Sequence, residues 1–403
     1  MVNVSGLACI CCATIRAESD IFRKHKGIRV KLRPETAAVH NSPIDGGSGA
    51  IVSPIVLSTT FQYETTGREH EPDELIYTRY QNPNRAALEA TLAKLEGGAV
   101  AHAVASGSVA MLTLFQALRP GDHIVASDDM YFGIRVQLNE FFAPWCLRTS
   151  YVDMSDLEAV QAAMRPQTKL VILESPTNPL IRLADIAAVA EIAHAAGAQL
   201  MVDNTVATPV AQNPLALGAD IVVMALTKFI AGHHDVLGGV IIFAQEDEFA
   251  ERVNRLVRIG GAVLSPLNSW LALRGLQSMA YRLRGISENA LKVAEYLAEH
   301  EKIAQVLYPH HPSHPQYELA RRQMRVGSGL MSILVAGGRQ HAIDLVNNTR
   351  LFTSATSFGG THSLIEHRES IEEGSATPAN LLRIAIGLEH PADLIADLRQ
   401  ALA

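Results

Sequence analysis

The chain is predicted to be an α/β protein: a mostly parallel sheet with helices on both faces, followed by a smaller α+β C-terminal domain. Three observations predict it. Short, β-branched apolar runs alternate with helix-period segments between residues 100 and 225; each run ends in polar residues; and after residue 265 the alternation gives way to a long helical stretch and separate strands. Strands linked through helices cross over right-handed, which pairs them in parallel and covers both faces of the sheet.

The elements follow in chain order. From Arg85, apolar Ala87, Leu88, Leu92 and Leu95 recur at helical spacing until Gly97-Gly98 stops the helix. Residues 100–105 read as a strand, Ser106-Gly107-Ser108 opens a helix over 109–118, and Arg119-Pro120-Gly121-Asp122 turns the chain into a strand at 123–126. Further strands are predicted at 169–174, 199–202 and 220–225, with an Ala-rich helix at 185–196 ended by Gly197. Beyond them come a helical stretch at 270–297, strands at 330–335 and 381–386, and a last helix after His390.

Bulk composition narrows the function. At 403 residues the chain exceeds what one core usually serves, so two parts are expected, a large domain at 81–264 and a C-terminal domain at 265–403, packed closely because no linker separates them. A net charge of -7 and the absence of any long Lys/Arg run argue against a nucleic-acid partner. No apolar stretch nears the roughly 20 residues that span a bilayer. Four cysteines, three of them crowded at Cys9, Cys11 and Cys12, make no disulfide framework and fit a reducing cytoplasm. Residues 2–15 are apolar but lack the basic start of a signal peptide, so residues 1–31 are read as a disordered extension.

In an open parallel sheet, ligands bind beyond the carboxyl ends of the strands. There the chain carries Glu174 to Asn178, then Asp203-Asn204-Thr205, then Thr227-Lys228. A lysine at a strand end taken alone would snorkel to the surface. Here Asp203 closes a neighbouring strand 25 residues earlier. An imine-forming lysine needs a desolvated aldehyde, and an aromatic ring nitrogen on that aldehyde needs a carboxylate to keep it protonated, so that the ring draws electrons from the substrate α-carbon. Gly107 and Ser108 supply backbone amides at a helix N-terminus for an anion, and Thr227 adds a hydroxyl.

With these residues in order, the sequence resembles the Cys/Met-metabolism (trans-sulfuration) family of pyridoxal 5′-phosphate (PLP) enzymes, from about Thr36 to the end. The resemblance rests on Pro54-Ile-Val-Leu-Ser-Thr-Thr-Phe61, Tyr77-Thr-Arg-Tyr-Gln-Asn-Pro83, Ser106-Gly107, Glu174-Ser-Pro-Thr-Asn-Pro179, Asp203-Asn-Thr205, Thr227-Lys-Phe-Ile-Ala-Gly-His233 and Arg383-Ile-Ala-Ile-Gly-Leu-Glu389. It implies the fold type I of PLP-dependent transferases, the fold of aspartate aminotransferase. It also implies Lys228 as the covalent anchor, Asp203 on the pyridine nitrogen, Tyr131 stacked on the ring and Asn178 near the ring oxygen. Arg383 would hold the substrate carboxylate, with Ser357 beside it and the lysine. Gly107, Ser108 and Thr227 would hold the phosphate, Thr205 would add a cofactor contact, and an N-terminal arm at 32–80 would lend Tyr77 and Arg79 to a neighbouring subunit in a homotetramer built as a dimer of dimers.

The resemblance implies γ-replacement or γ-elimination on sulfur amino acids or homoserine esters, of the cystathionine γ-synthase or γ-lyase type. Methionine γ-lyase and O-acetylhomoserine sulfhydrylase activities are the next readings. Other classes are a catalytically idle PLP-fold binding module and an aminotransferase on the same fold. Several positions depart from the family pattern and bear on substrate choice. Ala225 stands where a phosphate-binding Ser is common, Phe132 where a Gly is common, His234 where a Ser is usual, and His362 at a place often acidic. The stretch 368–379 is short and lacks the usual Met-Thr-His. His310, His311 and His314 alternate with prolines in what reads as an exposed loop rather than a metal site, and Cys146 reads as a small buried hydrophobe. No metal is expected.

Overall fold

A computed structural model describes residues 32–40, 50–63, 74–371 and 377–403; the expectation for residues 1–31 lies outside them. The first half folds around a seven-stranded sheet. Its strands are β1 (Val100–Val104), β2 (His123–Ser127), β3 (Arg148–Val152), β4 (Thr168–Glu174), β5 (Gln199–Asp203), β6 (Ile221–Ala225) and β7 (Gly239–Phe243), in the order β1-β7-β6-β5-β4-β2-β3. Neighbours run parallel except at β7, which is antiparallel to β1 and β6. The five expected strands are all present. β3 was missed because it is a half-exposed edge strand opening Arg-Thr-Ser, without the apolar run that marks its neighbours. β7 was missed because it returns from β6 through a loop, so no helix announces it.

Register fixes what the strand ends can do. Glu174 lies opposite Asp203, and Asp203 opposite Val223, so β4, β5 and β6 finish at one edge. The helix Gly107–Ala117 starts just past β1 at that same edge.

The second half holds a five-stranded sheet of β8 (Ile303–Leu307), β9 (Leu330–Val335), β10 (Thr353–Ser354), β11 (Leu364–His367) and β12 (Leu381–Ala385), ordered β10-β11-β12-β9-β8. The predicted helical stretch is two helices, Pro266–Leu276 and Met279–Ala298, broken at Gln277-Ser278. One apolar cluster joins Val222 and Ile242 of the first sheet to Leu283 and Ile286 of the longer helix and to Ile333 and Ile384 of the second sheet. Each such side chain, fully buried, contributes about 1.5–3 kcal/mol, so the two halves are held by a common interior.

Two sequence readings need correction. Cys146 is exposed, because it sits in left-handed conformation (φ 63°) at the end of the turn Ala143–Trp145 and faces out. The His-Pro loop is not uniformly exposed: His314 is buried, with Nε2 3.0 Å from the Ile181 carbonyl oxygen, so it pins this loop to the first half.

The helix Pro83–Glu96 anchors the arm. Asn82 caps it by accepting from the Asn84 and Arg85 amides, and its own amide donates to the Val56 carbonyl (3.0 Å) and to the Thr78 hydroxyl (3.1 Å). Asn82→Ala removes the cap and both bonds that its amide gives the arm, so stability should fall by about 1–3 kcal/mol in urea unfolding; a loss below about 0.5 kcal/mol would contradict this account.

Candidate active site

Lys228 lies on the turn after β6, with Nζ donating to Ser357 Oγ (2.7 Å) and 4.7 Å from the centre of the Phe358 ring. Burial, then the nearby Arg383 guanidinium, pull its pKa from 10.5 down to about 8. The turn is held from below by Arg282, whose guanidinium donates to the carbonyls of Phe229 (2.9 Å), Ile230 (3.2 Å) and Gly275 (2.8 Å). Nothing in the sequence singled out Arg282, since it sits inside a helix more than 50 residues away. Arg282→Met leaves those carbonyls buried and unpaired, at about 1–3 kcal/mol each, and is expected to lower the melting temperature well before it alters anything else. An unchanged melting temperature would argue that water replaces the guanidinium.

The loop carrying Ser357 can approach because residue 359 is glycine: its φ is +83°, and a Cβ there would fall 2.6 Å from the Phe229 amide nitrogen. Ser357 itself has φ 88°, a conformation non-glycine residues adopt only where surrounding structure enforces it. Its hydroxyl accepts from Lys228, and its carbonyl accepts from Arg383 Nη2 (3.3 Å).

Arg383 is 4% exposed, and Nη1 donates to Asn178 Oδ1 (3.2 Å). The acid that a buried arginine requires is Glu366, its cross-strand partner on β11, which also pairs with Arg368 (3.0 Å). Sequence reasoning asked for such an acid or a bound anion but did not name Glu366. With Glu366 behind it, the guanidinium keeps its fork toward Asn178 and Ser357, a geometry suited to a carboxylate.

Asp203 and Glu174 end adjacent strands. Asp203 Oδ1 accepts from the Thr205 amide (2.9 Å), and Thr205 Oγ1 accepts from the Ala225 amide (2.8 Å), so Thr205 props Asp203 and β6 together. Burial raises the pKa of Asp203, opposed by the Thr205 bonds. Burial, then the facing Asp203, raise that of Glu174 well above the usual carboxylate range. Tyr131 follows β2, with its amide donating to Glu174 Oε2 (3.0 Å) and its ring 45% exposed beside the strand ends.

Ser106 caps the helix Gly107–Ala117 by accepting from the Val109 amide (3.1 Å), leaving the Gly107 and Ser108 amides outside the helix's own bonds. A Cβ at Gly107 would lie 3.0 Å from the Ala225 methyl, so any larger residue here would press on the end of β6. Thr227 Oγ1 exchanges bonds of 3.2–3.3 Å with Gly238. Tyr77 and Arg79 do not join this group within the chain. Arg79 instead donates to the Arg258 carbonyl (2.6 Å) and lies over the Tyr80 ring, and Tyr77 is 40% exposed beside it. Of the departures, His234 and His362 meet with ring centres 6.3 Å apart, and Phe132 is 40% exposed. Burial, then His362 and Lys228, lower the His234 pKa.

The sequence profile of the Cys/Met metabolism PLP-dependent enzymes matches residues 35–403. The chain belongs to that family. It is 43% identical over 386 residues to the cystathionine gamma-synthase of Mycobacterium tuberculosis, covering 94% of this chain and 98% of that protein. It is 39% identical over 368 residues to the cystathionine gamma-lyase of Dictyostelium discoideum, covering 89% and 94%. The crystal structure of metB from Corynebacterium glutamicum superposes with a TM-score of 0.87 at 39% identity, covering 92% of this chain and 98% of that one. The expected fold type I and trans-sulfuration enzyme class thus hold, and Cys/Met-metabolism enzymes are PLP-dependent. Among the described residues, no helix is long and apolar enough to cross a membrane.

Proposed function

We propose that this chain binds PLP through Lys228 and catalyses γ-replacement or γ-elimination on a sulfur amino acid or homoserine ester, of the cystathionine γ-synthase or γ-lyase type. One observation carries the reading. The Lys228 amine and the Arg383 guanidinium meet on a single residue, Ser357, which accepts from the first through its hydroxyl (2.7 Å) and from the second through its carbonyl (3.3 Å). An α-amino acid has its carboxylate one bond from its α-carbon, so a carboxylate on Arg383 brings that carbon to the lysine.

The donor set fits the cofactor. A half-buried amine with its pKa lowered to about 8 suits its aldehyde, the half-buried Asp203 its pyridine nitrogen, and the open Gly107 and Ser108 amides with Thr227 its phosphate; the exposed Tyr131 ring offers a stacking face. When bound, PLP supplies an electron sink for charge developing at the substrate α-carbon. Asp203, as a carboxylate, would keep the ring nitrogen protonated. Lys228, low in pKa, takes the α-proton and can return it elsewhere on the reacting chain, while Arg383 and Asn178 fix the carboxylate and so the bond that faces the base. Tyr131 adds a second proton carrier at the ring.

The domains are assigned as 81–264 for cofactor binding and 265–403 for the C-terminal part, and the enzyme as a cytoplasmic homotetramer. Tyr77 and Arg79, engaged away from their own chain's phosphate donors, would serve a neighbour's site. Products formed from cystathionine, from methionine, and from an O-acyl-homoserine with cysteine, compared side by side, test the assignment. Cystathionine should be made or cleaved; reaction of methionine alone would overturn that choice.

A further inference from the structure

Glu174 belongs to none of the roles above, yet it touches three of them. It ends β4 with only 8% of its surface exposed and lies opposite Asp203 in the parallel register. Its Oε2 accepts from the Tyr131 amide (3.0 Å), and the Asn178 amide donates to the same carboxyl. Tyr131 carries the exposed ring, and Asn178 carries the side chain that meets Arg383. A single acid therefore ties the strand bearing the ring-nitrogen carboxylate to the loop bearing the stacking ring and the loop beside the carboxylate receptor.

We propose that Glu174 is a positioning residue that works as an uncharged carboxylic acid, holding the Tyr131 and Asn178 loops in register with Asp203 while leaving Asp203 to carry the site's negative charge. The physical reason is the pairing of two carboxyls at adjacent strand ends, Glu174 buried and Asp203 half-buried: ionisation of one opposes that of the other, and the more buried acid keeps its proton. The groups facing Glu174 decide which. Asp203 has the Thr205 bonds to stabilise its ionised form. Asp129, the other acid beside Glu174, is occupied by the Thr177 hydroxyl (2.5 Å) and lies near Arg182. Glu174 has two amide donors but faces both acids, and its pKa is raised well above the usual range, burial first and Asp203 second.

This inference rests on the proposed PLP chemistry, and its test separates the two. The PLP-loaded wild type, Glu174→Gln and Glu174→Ala would be compared by visible absorption, by the visible circular dichroism of the bound ring, and by kcat against pH. An amide oxygen can accept the same two N–H groups, so E174Q should keep the dichroism, keep kcat within about 3-fold and leave the acid limb of the pH profile unmoved. E174A frees both loops: the absorption band should remain, since Lys228 and Asp203 are intact, while the dichroism drops and kcat falls about 10- to 100-fold. If E174Q falls as far as E174A, or shifts the acid limb, an ionised Glu174 is required and the proposal is wrong. Should E174A not fold, the E174Q comparison alone decides it. A wild type that takes up PLP confirms the ground on which the test stands; one that stays colourless sinks the functional reading first and this inference with it.

Discussion

Replacing Lys228 with alanine is expected to lower turnover by about 10,000-fold and to abolish the visible band of covalently held PLP. The size of the effect follows from two tasks resting on one amine, capture of the aldehyde and proton transfer at the α-carbon. Neither neighbour can substitute: Ser357 is a hydroxyl with no base to activate it, and Arg383 holds its proton at every working pH. The pKa of about 8 gives a second expectation. Only the neutral amine attacks an aldehyde, and its fraction grows as pH rises through the pKa. Uptake of PLP by the cofactor-free enzyme should therefore quicken from about pH 7 to pH 9 and level off above, where an unperturbed lysine would still be climbing. The folded pKa is depressed, so between about 8 and 10.5 the unfolded chain binds more protons than the folded one, and this group's contribution makes the cofactor-free protein more stable as pH rises across that window. Retention of the band in Lys228→Ala, or uptake that ignores pH, would remove Lys228 from the chemistry.

Sequence periodicity exposed those parts of this molecule in which local pattern and tertiary role coincide. β4, β5 and β6 are short apolar runs ending in reactive residues, and their order along the chain is their order in the sheet, so the convergence of Glu174, Asp203 and Lys228 could be read before any coordinates. β7 could not, because alternation with helices carries no information about a strand that turns straight back. The same limit explains the site residues that were overlooked. Arg282 supports the Lys228 turn from a helix packed across the interior, and Glu366 backs Arg383 across a strand pair, contacts set by packing rather than spacing. Arg383 did leave a trace, since an arginine inside an apolar strand demands a counter-charge. The arm residues Tyr77 and Arg79 are legible only through the family resemblance; within one chain Arg79 points to the helix Glu248–Gly260, and Tyr77 lies beside Arg79.

Asp203→Asn should cost about 100- to 1,000-fold in kcat while leaving substrate KM within a few-fold. The residue does not face the substrate carboxylate, which is assigned to Arg383, so ground-state binding is largely spared; what disappears is the charge that keeps the pyridine nitrogen protonated as electrons move into the ring. The asparagine keeps the size and can still accept from the Thr205 amide, so the fold should survive. Removing that charge also relieves its neighbour. Asp203 is the second cause, after burial, of the raised pKa of Glu174, so in the asparagine variant Glu174 should ionise more readily and a new carboxylate should appear beside the site. A double variant with Glu174→Gln tests this coupling: if the two carboxyls share one proton, the loss in the double variant will differ from the product of the two single losses. Strict multiplicativity, together with an Asp203→Asn enzyme that turns over like wild type, would mean that the ring nitrogen is served by another group and that the adjacency of β4 and β5 is structural only.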